Sequence, residues 1–479
     1  MFADLSRLGR QSLVYGLGGV VSRILAVLLL PLYTRHLRPA DYGAVETLTA
    51  LTAVLATLLR AGLPSAFFRF YFQQPERRAR VRLLRTSFWF TMGAATLGLA
   101  VGEFAAAPIS RMLFATSGRT TLVEAAFVGM WAQLNYEQMT ALFRVEQRPG
   151  GFVAASVANV FVTVGASAFL VVNLNKGPLG VIVGNFAGTL AVYLVLLAYR
   201  REQLGLEFDR PLLRAMNRFG LPLVPAALAL WVINFADRFF LVKLSGAREV
   251  GLYSIGIRLS SAILLLVIAF SMAWPAFAYS IEEDDRARRV YAFVLTYILL
   301  FCCWLSLGLG LLAPWLVRLL TTRPFYGGSR VVWILGFALA AYAGYTVLAI
   351  GIGRTGQTKF NWVVTGSGAL VNTVLNLALI PSFGMRGAAI ATVVAYAGMF
   401  LTMAWYSQRI YHVPHQWRRI VVLVGSAVGL TLLGRLAHVG LVLVFVLTLG
   451  YPVVLWLLRF PLPVERRGLR QLVLRSRVA

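Results

Sequence analysis

About 14 apolar stretches follow one another through this chain, each near the roughly 20 residues that a helix needs to cross a hydrocarbon core of about 30 Å. The pattern sets their limits near 11–34, 42–66, 86–107, 120–143, 152–173, 178–199, 219–242, 250–277, 288–312, 330–352, 360–381, 387–407, 418–435 and 439–459. Inside a bilayer every backbone N–H and C=O must be satisfied within its own segment or a closed barrel, so runs of this length predict α-helices. The fold class that follows is an all-α integral membrane protein. With 59% hydrophobic and 13% charged residues, the 479-residue chain lies far from soluble usage. The first stretch is too long for a signal-peptide core and no small-residue cleavage site follows it, so it is expected to stay in the mature protein.

The formal net charge of +27 sits in short segments between the apolar runs, which argues against nucleic acid as a partner and for anionic phospholipid head groups beside the membrane. Placing the N-terminus in the cytoplasm puts most of the basic segments inside, as the positive-inside rule requires, and both termini are then cytoplasmic. The clearest inside segments are 77–82, 200–218, 286–289 and the tail with Arg466, Arg467, Arg470, Arg475 and Arg477. All the expected external loops are short, leaving no room for an external catalytic domain.

An internal repeat organises the array. Asp41-Tyr42-Gly43 aligns with Glu249-Val250-Gly251, Phe152 with Phe360, Gly177-Pro178-Leu179-Gly180 with Gly384-Met385-Arg386-Gly387, and Tyr199 with Tyr406, at an offset of about 207 to 208 residues. The reading gives an N-lobe of helices 1–6 (1–200), a cytoplasmic linker (201–218), a C-lobe of helices 7–12 (219–410), and two further helices with a basic tail (411–479). Six spans per copy keep both lobes in one orientation, related by an axis along the membrane normal and enclosing a central cavity.

Four arginines fall inside expected spans: Arg23, Arg60, Arg238 and Arg258. A cation at mid-bilayer costs several kcal/mol, so such residues face an interior, a water-filled cavity or a partner charge. Guanidinium stays ionised and offers forked donors, which suits an anionic cargo bearing phosphate. Other placements remain open. Arg60 lies near a helix end and can reach the interface, Arg258 can neutralise a buried carboxylate, and Arg238 follows Asp237 directly. Adjacent helix positions point about 100° apart, an arrangement that predicts separate partners for Asp237 and Arg238. Glu46, Glu124 and Glu137 are candidate counter-charges.

Two six-helix lobes, the DYG sequence at 41–43 with its second copy Glu249-Val250-Gly251-Leu252-Tyr253-Ser254, the stretch Ala236-Asp237-Arg238-Phe239-Phe240-Leu241, and Arg354-Thr355-Gly356-Gln357 together resemble the polysaccharide flippases of the MOP superfamily. That group includes the Wzx-type O-unit flippases and, more distantly, MurJ-type lipid II flippases and MATE exporters. The resemblance covers roughly residues 5–410. It implies a V-shaped bundle that alternates between inward- and outward-open forms while moving an undecaprenyl-pyrophosphate-linked oligosaccharide across the cytoplasmic membrane. Polymerases or glycosyltransferases of the same pathway are its implied partners.

Ser22-Arg23-Ile24-Leu25 is similar to the Ser-Arg motif of lipid II flippases, in which arginines of helices 1, 2 and 8 line the cavity; Arg23, Arg60 and Arg258 occupy those helices here. Asp237 resembles the acidic sodium ligand of helix 7 in that group, and Asn372 and Asn376, at i and i+4 in helix 11, stand where that group has Asn and Asp. The second acid is missing. One carboxylate and two amide oxygens suit sodium or, with Asp237 titrating, a proton; no other cofactor is implied. Asp237 and Asn234 can equally hold helices together by hydrogen bonds.

Enzyme readings fail for lack of parts. The chain has no GxxxxGK[ST], HExxH or CxxC, and its acidic run, Glu282-Glu283-Asp284-Asp285, reads as a solvated face beside Arg286, Arg288 and Arg289. The rival transport readings are a MATE-like exporter of organic cations, whose cavity should be lined by carboxylates, and a lipid II flippase.

Overall fold

The computed structural model describes residues 27–355, 360–437 and 439–460, and every regular element within them is helical. The first of these helices are α1 (Leu30–His36), α2 (Pro39–Arg60), α3 (Leu63–Gln73), α4 (Arg77–Phe104), α5 (Ala106–Phe114) and α6 (Thr120–Val145). Next come α7 (Pro149–Ala168), α8 (Gly177–Tyr199), α9 (Arg210–Gly220), α10 (Val224–Trp231), α11 (Asp237–Leu244) and α12 (Ala247–Tyr279). The last six are α13 (Asp284–Leu320), α14 (Ser329–Arg354), α15 (Phe360–Phe383), α16 (Met385–Ile410), α17 (Trp417–Leu436) and α18 (Leu441–Leu457). Proline in the first turn starts α2, α3, α7, α8 and α9, where its missing N–H removes a donor that would have no partner. At α9 the Asp209 side chain adds a cap, accepting from the Leu212 N–H at 2.9 Å.

Among the described residues, ten helices are long and apolar enough to span a membrane, or eleven when the α4–α5 pair, bent by 66°, counts as one. The sequence pattern gives about 14, and the difference has identifiable sources. Span 11–34 lies mostly outside the described residues. α18 has only 17 residues, and α6, although 26 residues long, carries Glu124, Gln133, Asn135, Glu137 and Gln138. A helix so polar cannot face lipid, and α6 packs against α2, α4, α5 and α8. Large apolar side chains stand exposed elsewhere, among them Leu97, Phe161, Val195 and Leu377, as expected where the outer surface meets hydrocarbon.

Contacts group the chain into two compact units. Among the described residues, one takes in 27–258, Val317–Gly328 and Thr365–Ala391; the other takes in Leu259–Leu316, 329–355, 360–364, 392–437 and 439–460. Neither unit coincides with one expected copy of the repeat, since the boundary falls within α12, between Arg258 and Leu259.

Within the first unit, the glycines that set the repeat register have visible work. A Cβ on Gly43 would lie 1.8 Å from the Ala247 carbonyl oxygen, and one on Gly251 would lie 2.0 Å from that of Pro39. The equivalent glycines thus let the start of α2 touch the start of α12 backbone to backbone, as small residues do between membrane helices. Gly177 and Gly384, also equivalent, share a left-handed backbone, with φ of 55° and 53°, at the turns leading into α8 and α16.

In the second unit, Arg354 at the end of α14 donates through Nε to Asp284 Oδ1 (2.9 Å) and through its terminal nitrogens to the carbonyls of Ile281 (2.8 Å) and Glu282 (3.0 Å). Tyr411 donates to the same Asp284 oxygen at 3.2 Å. The acidic run is therefore not merely a solvated face: Asp284 ties together the starts and ends of α13, α14 and α16.

Candidate functional site

One face of α2 reads Thr49, Thr52, Ala53, Ala56, Thr57 and Arg60, the i, i+3, i+4, i+7, i+8, i+11 series of a helical stripe, small and polar within an otherwise apolar span. The stripe ends at Arg60 because Ala61 (φ 48°) and Gly62 (φ 71°) turn left-handed and stop the helix. Across from it, α6 presents Gln133 and Glu137 one turn apart. Arg60 pairs with Glu137 at 2.6 Å between a terminal guanidinium nitrogen and Oε2. Gln133 Nε2 donates to the other carboxylate oxygen, also at 2.6 Å, and Thr189 of α8 donates to Gln133 Oε1 at 3.4 Å.

These residues wall a cavity of about 500 Å³, completed by Met130, Phe186 of α8, Ala227, Leu230 and Trp231 of α10, and Asn234 and Phe235 of the turn beyond it. A second cavity of about 240 Å³ shares Arg60 and Glu137 and continues to Gln138 and Arg144. The ion pair thus borders both chambers, with side-chain exposures of 28% for Arg60 and 37% for Glu137.

Arg258 of α12 pairs with Glu46 of α2 at 2.7 Å, and its guanidinium also lies over the Tyr42 ring, 5.2 Å from the centroid. The Gly43–Gly251 approach brings these helices close enough for that pair. Both partners are more enclosed than Arg60 and Glu137.

The third pair is sealed. Asp237 and Arg238 are both buried, and an Arg238 terminal nitrogen lies 2.8 Å from Asp237 Oδ1 and 2.5 Å from the Asn234 carbonyl oxygen. Tyr253 donates to Asp237 Oδ2 at 2.6 Å. The expectation that these neighbours would take separate partners is corrected here. Residues Val232–Ala236 form a π-turn immediately before α11, which changes the phase of the helix. The arginine stem folds back toward the preceding turn, so its head reaches both the carbonyl four residues earlier and the carboxylate one residue earlier.

Asn372 and Asn376 are fully buried in α15 and bond to each other, Asn376 Nδ2 donating to Asn372 Oδ1 at 2.9 Å. Among the described residues no hydrogen bond joins either to Asp237, and Asn376 Oδ1 and Asn372 Nδ2 are buried without a partner. Both oxygens of Asp237 are engaged, Oδ1 by the Arg238 guanidinium and Oδ2 by the Tyr253 hydroxyl. That donor set does not fit sodium. No cluster of three or more His, Cys, Asp or Glu side chains able to hold a metal exists among the described residues. Arg23 lies outside them. Of the counter-charges, Glu46 and Glu137 face arginines, while Glu124 has Glu103 as its charged neighbour.

Sequence reasoning missed the α2 stripe, whose Thr and Ala spacing was a legible signal, and it missed Trp231 and Phe235, which carry no pattern that separates them from other aromatic residues of a membrane span; Tyr253 stood in the second copy of the repeat motif without a role.

Residues 32–327 match the family described as polysaccharide biosynthesis protein. The chain belongs to that family. A curated relative, an uncharacterised membrane protein of Methanocaldococcus jannaschii, is 24% identical over 232 residues, a match that spans 46% of this chain and 44% of the relative, less than half its length. Among solved structures, the lipid II flippase MurJ in an inward closed conformation superposes with a TM-score of 0.73 at 13% identity, covering 92% of this chain and 98% of that one. An inward-facing multidrug resistance MATE family transporter of the MOP superfamily gives 0.68 at 15% identity, over 84% and 95%. A MOP superfamily transporter from Pyrococcus furiosus, described as having a binding pocket of reverse polarity, gives 0.60 at 13%, over 87% and 96%. The fold is therefore the MurJ/MATE type, and this member of the polysaccharide biosynthesis family is a multi-pass membrane protein.

Proposed function

We propose that this protein is a flippase that carries an undecaprenyl-pyrophosphate-linked oligosaccharide across the cytoplasmic membrane of a bacterium or archaeon, by alternating access of two six-helix lobes (1–200 and 219–410) joined by the linker 201–218. Residues 411–479 then stand outside the repeat, both termini are cytoplasmic, and the basic segments face anionic phospholipids. Glycosyltransferases that build the oligosaccharide and a polymerase that consumes it are the partners this reading implies.

The observation that carries the proposal is the Arg60–Glu137 pair bordering two adjoining chambers in a family devoted to polysaccharide biosynthesis. At rest the pair is neutral, so the chamber does not repel either sign. An arriving diphosphate exchanges for Glu137 as the partner of the guanidinium, gaining charge-assisted, forked hydrogen bonds. Glu137 remains held by the Gln133 amide at 2.6 Å and takes Arg60 back when the cargo leaves. Arg258, paired with Glu46, is the second cation assigned to the pathway, and Arg23 is assigned with it on the resemblance in helix 1. Arg238, whose head is spent on Asp237 and a carbonyl, serves this reading as a structural charge.

Coupling to a cation gradient forms the second half of the proposal. Sodium at Asp237 would have to displace the Arg238 nitrogen, so the proton is the ion this reading carries forward, with Asp237, Asn372 and Asn376 as the buried polar groups to probe.

The cellular test uses a strain lacking the native gene. With R60Q in place of the wild-type chain, surface polysaccharide should fall at least tenfold while its lipid-linked precursor accumulates, and E137Q should preserve export. Unchanged surface polysaccharide in the R60Q strain would overturn the proposal.

A further inference from the structure

We infer that the 500 Å³ cavity holds a recognition platform for the distal sugars of the cargo, with Trp231, and Phe235 beside it, at the opposite end of the α2 stripe from Arg60 and the threonines of α2 running back toward the guanidinium. The inference rests on the proposed cargo and extends it to the part of the headgroup beyond the diphosphate.

Position comes first. The Trp231 indole N–H donates to the Ala50 carbonyl at 3.2 Å, which fixes the ring beside the Thr49 end of α2. Ten residues of helix separate Ala50 from Arg60, so the platform lies about 15 Å along the stripe from the guanidinium. A diphosphate held at Arg60 cannot reach that far. Sugars attached to it can.

Chemistry comes second. Trp231 and Phe235 are one turn apart with rings 6.4 Å between centroids and 17° from parallel, and both line the cavity. Because its single donor is already used, the indole offers the chamber only its π-face and edges, which meet the apolar, weakly positive C–H face of a pyranose well. Thr49 and Thr57 donate to the carbonyls of Val45 (2.8 Å) and Ala53 (2.9 Å) in their own helix. With their protons committed, these hydroxyl oxygens present lone pairs, and they accept from sugar hydroxyls. An aromatic wall with a few fixed polar groups, in a chamber of this size, is how small-ligand sites are built. Pure lipid contact would not need the threonines, and a small anion would not need the aromatic wall.

The test compares two probes on the purified full-length protein: bare undecaprenyl diphosphate, and the oligosaccharide-bearing undecaprenyl diphosphate extracted from cells blocked in export. Binding is read by native mass spectrometry for wild type, W231A, W231F, T49V and R60Q. W231A should weaken the sugar-bearing lipid about tenfold, about the worth of one good aromatic contact, and leave the bare lipid unchanged. W231F should restore most of that loss. T49V, a change of nearly equal volume at an exposed position, should weaken the sugar-bearing lipid a few-fold and provides the answer should W231A not fold. Equal losses on both lipids, or no loss on either with both variants, would overturn the platform. R60Q should weaken both probes; if it weakens neither, the cargo assignment itself falls, and that outcome is distinct from a failure of the Trp231 and Thr49 variants.

Discussion

Two arginine–carboxylate pairs inside the spans of the first unit use the same chemistry in opposite settings. Arg60 and Glu137 border two chambers and keep 28% and 37% of their side chains exposed, whereas Arg238 and Asp237 keep only 6% and 3% and are closed over by Tyr253. A pair that water can reach loses little when separated, because solvent and a new ligand replace each partner. A sealed pair has no replacement, and removing one member leaves an uncompensated charge. The difference assigns exchangeable work to Arg60 and fixed work to Arg238, although both look alike as intramembrane arginines.

The largest effect expected from this contrast is on stability. D237N or R238Q should destabilise the protein by about 3–5 kcal/mol, read as a steep loss of monodisperse protein on heating in detergent, while R60Q should change stability by no more than about 1 kcal/mol. Equal melting behaviour for R60Q and R238Q would break the distinction between the two pairs. Next in size is a pH effect outside the spans. In the loop between α16 and α17, burial and the neighbouring His412 lower His415 to about 4, and neither of its ring nitrogens has a hydrogen-bond partner among the described residues. Its neutral form favours the fold, so the contribution is complete above the ordinary value near 6.5 and is lost as pH falls toward 4. About 2 kcal/mol should disappear between pH 6.5 and about pH 5, and H415F should abolish that slope in a thermal-shift series. Acid loss that persists in H415F would move the titrating group elsewhere, Asp237 included.

An effect of similar size belongs to the glycine contact that positions the Arg258–Glu46 pair. G251A places a Cβ against the Pro39 carbonyl and should cost about 1–3 kcal/mol by forcing α2 and α12 apart, with a matching fall in transport; unchanged melting would show that the contact gives freely. The smallest expected effect is on ion dependence. Replacing sodium by potassium or choline at constant pH should leave transport within about twofold of its original rate, because the Arg238 nitrogen already stands beside Asp237. A strict sodium requirement would restore the cation cage.

Much of this arrangement was legible before any coordinates. Long apolar runs specify helices in a bilayer, and the repeat register drawn from Gly43, Gly251, Gly177 and Gly384 falls on positions with close backbone contacts or left-handed turns. Intramembrane charge singled out Arg23, Arg60, Arg238 and Arg258, with Glu46, Glu124 and Glu137 as candidate counter-charges; among the described residues Glu46 and Glu137 pair with Arg258 and Arg60. The rest depended on departures from helical regularity. The π-turn at Val232–Ala236 shifts the phase by which Asp237 and Arg238 are read, and no residue in that stretch announces it. α6 reads as an ordinary span by length, yet its polar residues are satisfied only because other helices surround it. Trp231 is assigned a role by its bond to Ala50 and its place in the cavity, both of which arise from the packing of α10 on α2.

The most direct test is translocation of undecaprenyl-diphosphate-linked oligosaccharide in proteoliposomes, scored by protection of the glycan from an external glycosidase, with wild type, R60Q and E137Q side by side. The account predicts at least a tenfold slower rate for R60Q and a rate within about threefold of wild type for E137Q, since the guanidinium grips the diphosphate and the carboxylate only holds its place between cargoes. Wild-type translocation by R60Q, or a loss confined to E137Q as in a carrier of organic cations, would contradict it.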